Sequence, residues 1–294
     1  MHKLIDDWKK IIKTKYCDNT VLAYYKDINR FVEFYKLYYG CDFDPRKGID
    51  LKMLRSWLTY LKTKLSVSNQ SVCRMISSVK NFLNYIYDFH KIECIESIQM
   101  LRNPKFVKKI IRDIDADKLL NLLNNLPEDN WLNLRNKTLL YLLYSTGIRI
   151  AEALSLKRSN ISNDICTVLG KGGKYREVFL LPVVVELLKN YCDSLEHEIK
   201  EEDYIFIGVK GKVLQAAVAR KYLQNLRREH GFPEYLSPHL LRHCFARHLL
   251  DNNTSLVLVS EALGHRSLNS TERYIHINKE RMLDAYNKFA PKNV

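Results

Sequence analysis

Apolar residues recur every three or four positions through most of this chain, and only two short stretches read as strands, so helices are expected to dominate. In DNTVLAYYKDINRFVEFYKLYYG a helix starts at Asp18 or Asn19 and stops at Gly40, with Leu22, Tyr25, Ile28, Asn29 and Val32 tracing a mostly apolar stripe. IDLKMLRSWLTYLKTK reads as a helix behind an Asp50 cap, and SNQSVCRMISSVKNFLNYIYDFH as one behind Ser68. With the charged opening segment MHKLIDDWKKIIKTKY, four helices are expected in residues 1–100, their polar faces rich in Lys, Arg, Asn and Gln.

The pattern changes at LRNPKFVKKIIR, residues 101–112, where a proline, five basic residues and little periodicity predict a basic linker between two domains. A surface loop inside one larger domain is the other reading. Further on, DADKLLNLLNNL and NLRNKTLLYLLYSTG are helical patterns, the second ended by Gly147. DICTVLG and YREVFLL predict short strands, and KGGK between them has the composition of a hairpin turn. From PVVVELLKNYC onward helices are expected to dominate again. The fold class that follows is mainly α with a small β-sheet (α+β), without internal repeats, low-complexity tracts or a sustained heptad pattern.

Composition narrows the partners. At 294 residues, 46% of them hydrophobic, the chain can bury a core in two domains without disulfides. Lys and Arg number 47 against 33 Asp and Glu, a net charge of +14, which suits a polyanion, most commonly nucleic acid. A generally basic surface is the plainer alternative. Residues 1–105 carry 19 basic and 11 acidic side chains and the remainder 28 and 22, so both parts can face a phosphate backbone. The seven cysteines are widely spaced and form no C-x-x-C pair, which reads as reduced thiols in a cytosolic protein. The opening residues lack the apolar centre of a signal peptide, and no stretch approaches the ~18 apolar residues of a membrane span.

The most unusual stretch is SPHLLRHCFARHLL, Ser237 to Leu250, which sets three histidines and two arginines in an apolar helical pattern. His239 and His243 stand four apart, as zinc ligands do, but HLLRH lacks the glutamate base and Arg242 would put a fixed positive charge beside the metal, so no metal is expected. His239 and Arg242 are three apart near a helix N-terminus, where a guanidinium fork and free N–H groups suit a phosphate. The alternative is that His239 caps the helix and Arg242 pairs with a surface carboxylate. Three other stretches bear on the choice. STGIRIAEALSL puts Arg149 just past Gly147, with Glu152 three residues later; LGKGGKYREV sets Lys171 on the hairpin turn; and LGHRS followed by STERYIHI supplies His265 and Tyr274.

In that order, TGIRIAEALSL, LGKGGKYREV, SPHLLRHCFARHLL and EALGHRSLNSTERYIHI resemble the tyrosine recombinases, or phage-integrase family, over about the last 180 residues. The resemblance implies an N-terminal helical bundle (SAM-like, core-binding) at 1–100, the linker at 101–112, and a catalytic domain at 113–294. It implies that Arg149 and Arg242 clamp the scissile phosphate, that Lys171 is the hairpin lysine, and that His239 and His265 are the two site histidines. Tyr274 is then the nucleophile and Glu152 a supporting acid, while His243 is structural. Arg74, Lys80 and Lys221 are candidate DNA contacts, with solvated helix faces as their alternative.

A phosphodiester under attack gathers charge on its non-bridging oxygens, which two preset arginines can stabilise without a metal. A phenol of pKa about 10 needs help as a nucleophile; His239 is the expected proton acceptor, and Lys171 is expected to protonate the departing 5′ oxygen. The product implied is a 3′-phosphotyrosyl link and a free 5′ hydroxyl, so strands exchange without ATP. Consistently, GKGGK fits neither the spacing nor the context of a nucleotide-binding loop, and no cofactor is expected. The apolar tail residues Met282, Leu283, Tyr286 and Phe289 either pack on their own domain or, as the resemblance implies, dock into a neighbouring subunit of a tetramer. The compact length and close motif match favour a recombinase of the Xer type, resolving circular chromosome dimers, alone or with a second recombinase or an activating protein. The alternatives are an integrase of a mobile element, a catalytically silent DNA-binding protein, and a type IB topoisomerase.

Overall fold

The computed structural model describes residues 2–47, 49–93, 96–104, 114–170 and 173–251, together with 259 and 263. The chain divides into two units, Met1–Ile110 and Ile111–Val294.

Side-chain caps set where the helices of the first unit begin. The unit holds α1 (His2–Lys13), α2 (Asp18–Tyr39), α3 (Leu51–Thr63), α4 (Asn69–His90) and the single turn α5 (Glu96–Gln99). Asp50 accepts from the Met53 amide at 2.6 Å and Ser68 from the Ser71 amide at 3.3 Å, each satisfying an N–H that its helix cannot. Gly40 closes α2 in the left-handed conformation, φ 67°. Helix α2 starts at Asp18, as expected, although Cys17 before it makes no side-chain capping bond. Its buried stripe differs in part. Leu22 is exposed and Tyr25 and Asn29 are half-buried, whereas Val21, Ile28, Phe31, Val32 and Tyr35 go inward. Two apolar stripes one residue apart fit the same helix period, and the aromatic core decides between them. Phe31 meets Trp57 edge-on at 5.0 Å between centroids, and Trp8 meets Phe82 at 5.2 Å.

The second unit is built around α7 (Trp131–Thr146), which packs against α9 (Pro182–Asp193), α11 (Pro238–Asp251) and α6 (Ala116–Asn124). Covered from several sides, α7 buries even its charges. Lys137 Nζ reaches Glu128 at 2.6 Å and the Asn124 carbonyl at 2.8 Å, and Arg135 Nη1 donates to the Ile207 carbonyl at 2.9 Å. After α8 (Ile150–Leu154) come β1 (Ile161–Ser162), β2 (Ile165–Leu169) and β3 (Tyr175–Phe179), an antiparallel sheet in that order. Strands β2 and β3 pair from Ile165 with Phe179 to Leu169 with Tyr175, as a hairpin whose turn is closed by the Gly170 amide on the Lys174 carbonyl at 2.8 Å. The two-residue β1 is not foreshadowed in the sequence. Nor do helices run unbroken after Pro182: between α9 and α10 (Ala216–Glu229) lies a non-helical stretch with single bridges Lys157 to Tyr204 and Ile207 to Val213.

Ser237 Oγ accepts from the Leu240 amide at 3.3 Å and so starts α11 where the sequence places it. His248, in the last turns of α11, fastens that helix. Its Nε2 lies 3.0 Å from the Ile114 carbonyl and its Nδ1 2.9 Å from the Tyr144 hydroxyl. A carbonyl can only accept, so Nε2 carries a proton, and in the neutral ring Nδ1 is then the acceptor for the Tyr144 hydroxyl. Among the described residues no helix is long and apolar enough to cross a membrane.

Candidate active site

The end of α7 organises the site. Gly147 terminates the helix at φ 63°, its amide bonded to Leu143, and turns the chain so that Arg149 opens α8 two residues later. Glu152, 6% exposed, folds back onto that opening. One carboxylate oxygen accepts from the Arg149 backbone amide at 2.9 Å and the other from Arg149 Nη1 at 2.7 Å. Glu152 thus supplies one half of a capping box, and Arg149, whose guanidinium has no acceptor, pairs with the carboxylate in place of the other half.

Arg242 comes to the same place from α11. It is 7% exposed, and its guanidinium donates from Nη1 to the Gly147 carbonyl at 2.5 Å and from Nη2 to the Leu263 carbonyl at 2.6 Å. Thus Arg242 meets backbone carbonyls, not the surface carboxylate of the alternative reading. An arginine has five N–H donors, so these two carbonyls do not exhaust the fork. Burial pulls Arg242 down to about 10, the charge of Arg149 pulls the same way, and Glu152 opposes them.

A third guanidinium, which the motif reading did not single out, completes the cluster. Arg176 on β3 donates from Nη2 to Glu152 at 2.8 Å, and its charge also lowers Arg242. Burial pushes the Glu152 carboxyl up, but the hydrogen bonds from Arg176 and Arg149 outweigh it and hold the group below the ordinary glutamate value. Three arginines around one carboxylate leave two positive charges uncompensated within the cluster, and the Arg149 side chain is still 35% exposed. An anion is the natural completion of such a site. The signal for Arg176 was its position in YREV beside the hairpin lysine, but its partner Glu152 lies 24 residues away and no local pattern links them.

His239 is exposed in the first turn of α11, and Ser237, not His239, caps that helix. His243 is half-buried on the same helix. Lys171, His265 and Tyr274 lie outside the described residues, as does the tail carrying Met282, Leu283, Tyr286 and Phe289. The structure therefore brings together Arg149, Glu152 and Arg242, and adds Arg176. Of the candidate DNA contacts, Lys221 is exposed on α10 and Lys80 half-buried on α4. Arg74, on α4, is 41% exposed and pairs at 2.9 Å with Asp27, which is buried on α2. Residues 105–113, most of the expected linker, lie outside the description.

An arginine cluster at the end of a core helix, beside a β-hairpin in a mainly helical unit, makes a site for an anion such as phosphate. Residues 112–281 match the phage integrase family, and residues 5–88 match the phage integrase N-terminal SAM-like domain. The chain belongs to the phage integrase family. It is 34% identical to tyrosine recombinase XerC of Rickettsia prowazekii (strain Madrid E), covering 99% of this chain and 97% of that one. It is 33% identical to tyrosine recombinase XerC of Rickettsia bellii (strain RML369-C), with 97% and 96% covered. Among solved structures, the XerH site-specific recombinase bound to palindromic difH substrate, a post-cleavage complex, aligns with TM-score 0.69 and 26% identity, covering 91% of this chain and 79% of that one.

Proposed function

We propose that this protein is a site-specific DNA recombinase that cuts and rejoins strands through a covalent tyrosine intermediate. The observation that carries the reading is the convergence of Arg149 and Arg242 on the Gly147 turn, with Glu152 holding one of them. In this reading the Tyr274 oxygen attacks the scissile phosphorus, a bond to the 3′-phosphate forms, and the bond to the 5′ oxygen breaks. His239 accepts the phenol proton, Lys171 protonates the departing 5′ oxygen, and His265 donates a hydrogen bond to a non-bridging oxygen. Arg149 and Arg242 neutralise the charge that builds on the non-bridging oxygens, so the guanidinium pair supplies what a metal would supply elsewhere, and the reaction needs neither metal nor ATP. A 5′ hydroxyl from a second duplex reverses the step and exchanges strands.

The near-full-length similarity to XerC proteins supports an Xer-type role, resolving circular chromosome dimers in the cytoplasm. Duplex DNA is the partner, contacted from the helical bundle by Arg74 and Lys80 and from the second unit by Lys221. Four subunits on two sites, linked through the tail at 282–289, form the active assembly.

Covalent capture tests this. The purified protein is incubated with nicked fragments of its host genome, denatured, and the DNA that stays attached is sequenced, with Tyr274→Phe as control. Enrichment of one sequence by the unmodified protein alone is expected, and its position near a replication terminus, not at the boundary of a mobile element, fits the Xer role. Attachment that persists in Tyr274→Phe assigns the nucleophile elsewhere. Intact DNA binding with no attachment points to a missing partner or to a purely binding role.

A further inference from the structure

Arg176 has no role in the reaction as set out above, yet its side chain is only 16% exposed and is placed between two parts of the site. Its Nη2 holds Glu152 Oε2 at 2.8 Å. On the other side, Nη1 stands against Gly170 where the hairpin turn begins, so close that a methyl group on that glycine would lie 3.2 Å from it. Its Nε is buried with no hydrogen-bond partner among the described residues. A buried guanidinium with one donor unmet costs free energy, whatever its placement serves.

The division of labour on Glu152 indicates what is served. Oε2 takes the Arg149 amide and Arg176 Nη2, while Oε1 takes Arg149 Nη1. The Arg149 guanidinium is thereby held by one oxygen, through Nη1 alone. If Arg176 were absent, only the Arg149 backbone amide would hold Oε2 against rotation of the carboxylate into the two-pronged pairing that arginine and glutamate prefer. That pairing would occupy both terminal nitrogens of Arg149 and cancel its charge where the phosphate needs it.

We infer that Arg176 is a positioning residue of the phosphate site: by occupying Glu152 from the hairpin side, it keeps that carboxylate from closing on Arg149. This rests on the reading of Arg149 and Arg242 as the phosphate clamp. It also ties the turn end of the hairpin to the start of α8, so that a displacement of one is felt by the other.

Inorganic phosphate is the probe. The melting temperature of the full chain is followed against phosphate concentration for the unmodified protein, Arg149→Ala, Arg176→Gln, Arg176→Met and Arg176→Lys. The unmodified protein should show a saturable rise that Arg149→Ala lacks. Arg176→Gln and Arg176→Met, the second keeping an apolar stem in the buried space, should bind phosphate about tenfold more weakly. Arg176→Lys, whose ammonium still reaches Glu152, should recover binding to within about threefold. A purely structural residue would lower every melting curve and leave its phosphate-dependent rise unchanged. Binding within about twofold of the unmodified protein by a folded Arg176→Gln or Arg176→Met overturns the inference, as does an Arg176→Lys no better than Arg176→Gln. Equal rises in the unmodified protein and Arg149→Ala would instead remove the clamp reading on which it rests.

Discussion

A methyl group on Gly147 would lie 2.3 Å from Phe245 Cδ1, in a residue already held at φ 63°, with its carbonyl on Arg242. Conformation, space and hydrogen bonding therefore coincide at a single position. Gly147→Ala combines a left-handed penalty with overpacking against α11, and should cost about 2–4 kcal/mol, read as a lower urea midpoint with an unchanged slope. Because the displaced helix carries Arg242, the same change should also weaken phosphate binding, which an equally destabilising substitution in the first unit would not do. Arg242 itself explains why an anion is welcome. Its guanidinium is pulled down to about 10 chiefly by burial and then by Arg149, so a phosphate between them supplies the charge that neither carbonyl partner can.

Helices α2 and α4 show the same device on a smaller scale. Asp27 is 1% exposed and holds Arg74 Nη1 at 2.9 Å while accepting from Ser78 Oγ at 3.3 Å. Burial raises its carboxyl, against the pull of Arg74, so the pair is needed to keep the charge inside. Arg74→Ala should lower stability and, in salt-titrated binding to a duplex, reduce the slope by about one. Adding Asp27→Asn should restore stability but not the slope; a restored slope would show that Arg74 does not meet DNA. The caps of these helices were legible in the sequence, since Asp50, Ser68 and Gly40 act on amides or turns within a few residues. The facing of α2 was not, because Leu22 and Val21 are equivalent until Trp57 and Phe82 are in place. Gly147, Arg149 and Arg242 could be read from their motifs, whereas Arg176 could not: its meaning comes from Glu152 and Gly170, which only tertiary structure brings to it. Likewise the burial of Arg135 and Lys137 on α7 depends on partners that folding brings to them, the Ile207 carbonyl and the 124–128 stretch.

Over the whole molecule the net charge of +14 is shared between the two parts of the chain, so DNA affinity should come largely from phosphate contacts and fall steeply with salt. Assembly adds another requirement. Replacing Met282, Leu283, Tyr286 and Phe289 together by serine should leave single-subunit complexes in a band-shift assay while removing the larger ones and most covalent adduct. Unchanged larger complexes would mean that the tail packs on its own subunit. The buried imidazole of His248 bears on how the molecule can be divided for study. Its Nε2 proton is met by the carbonyl of Ile114, a residue at the very start of the described second unit. A fragment cut to carry that unit alone must therefore begin upstream of Ile114. Begun later, it would leave a ring N–H unmet in the interior, on the helix that delivers Arg242, and its inactivity would be an artefact of where it was cut.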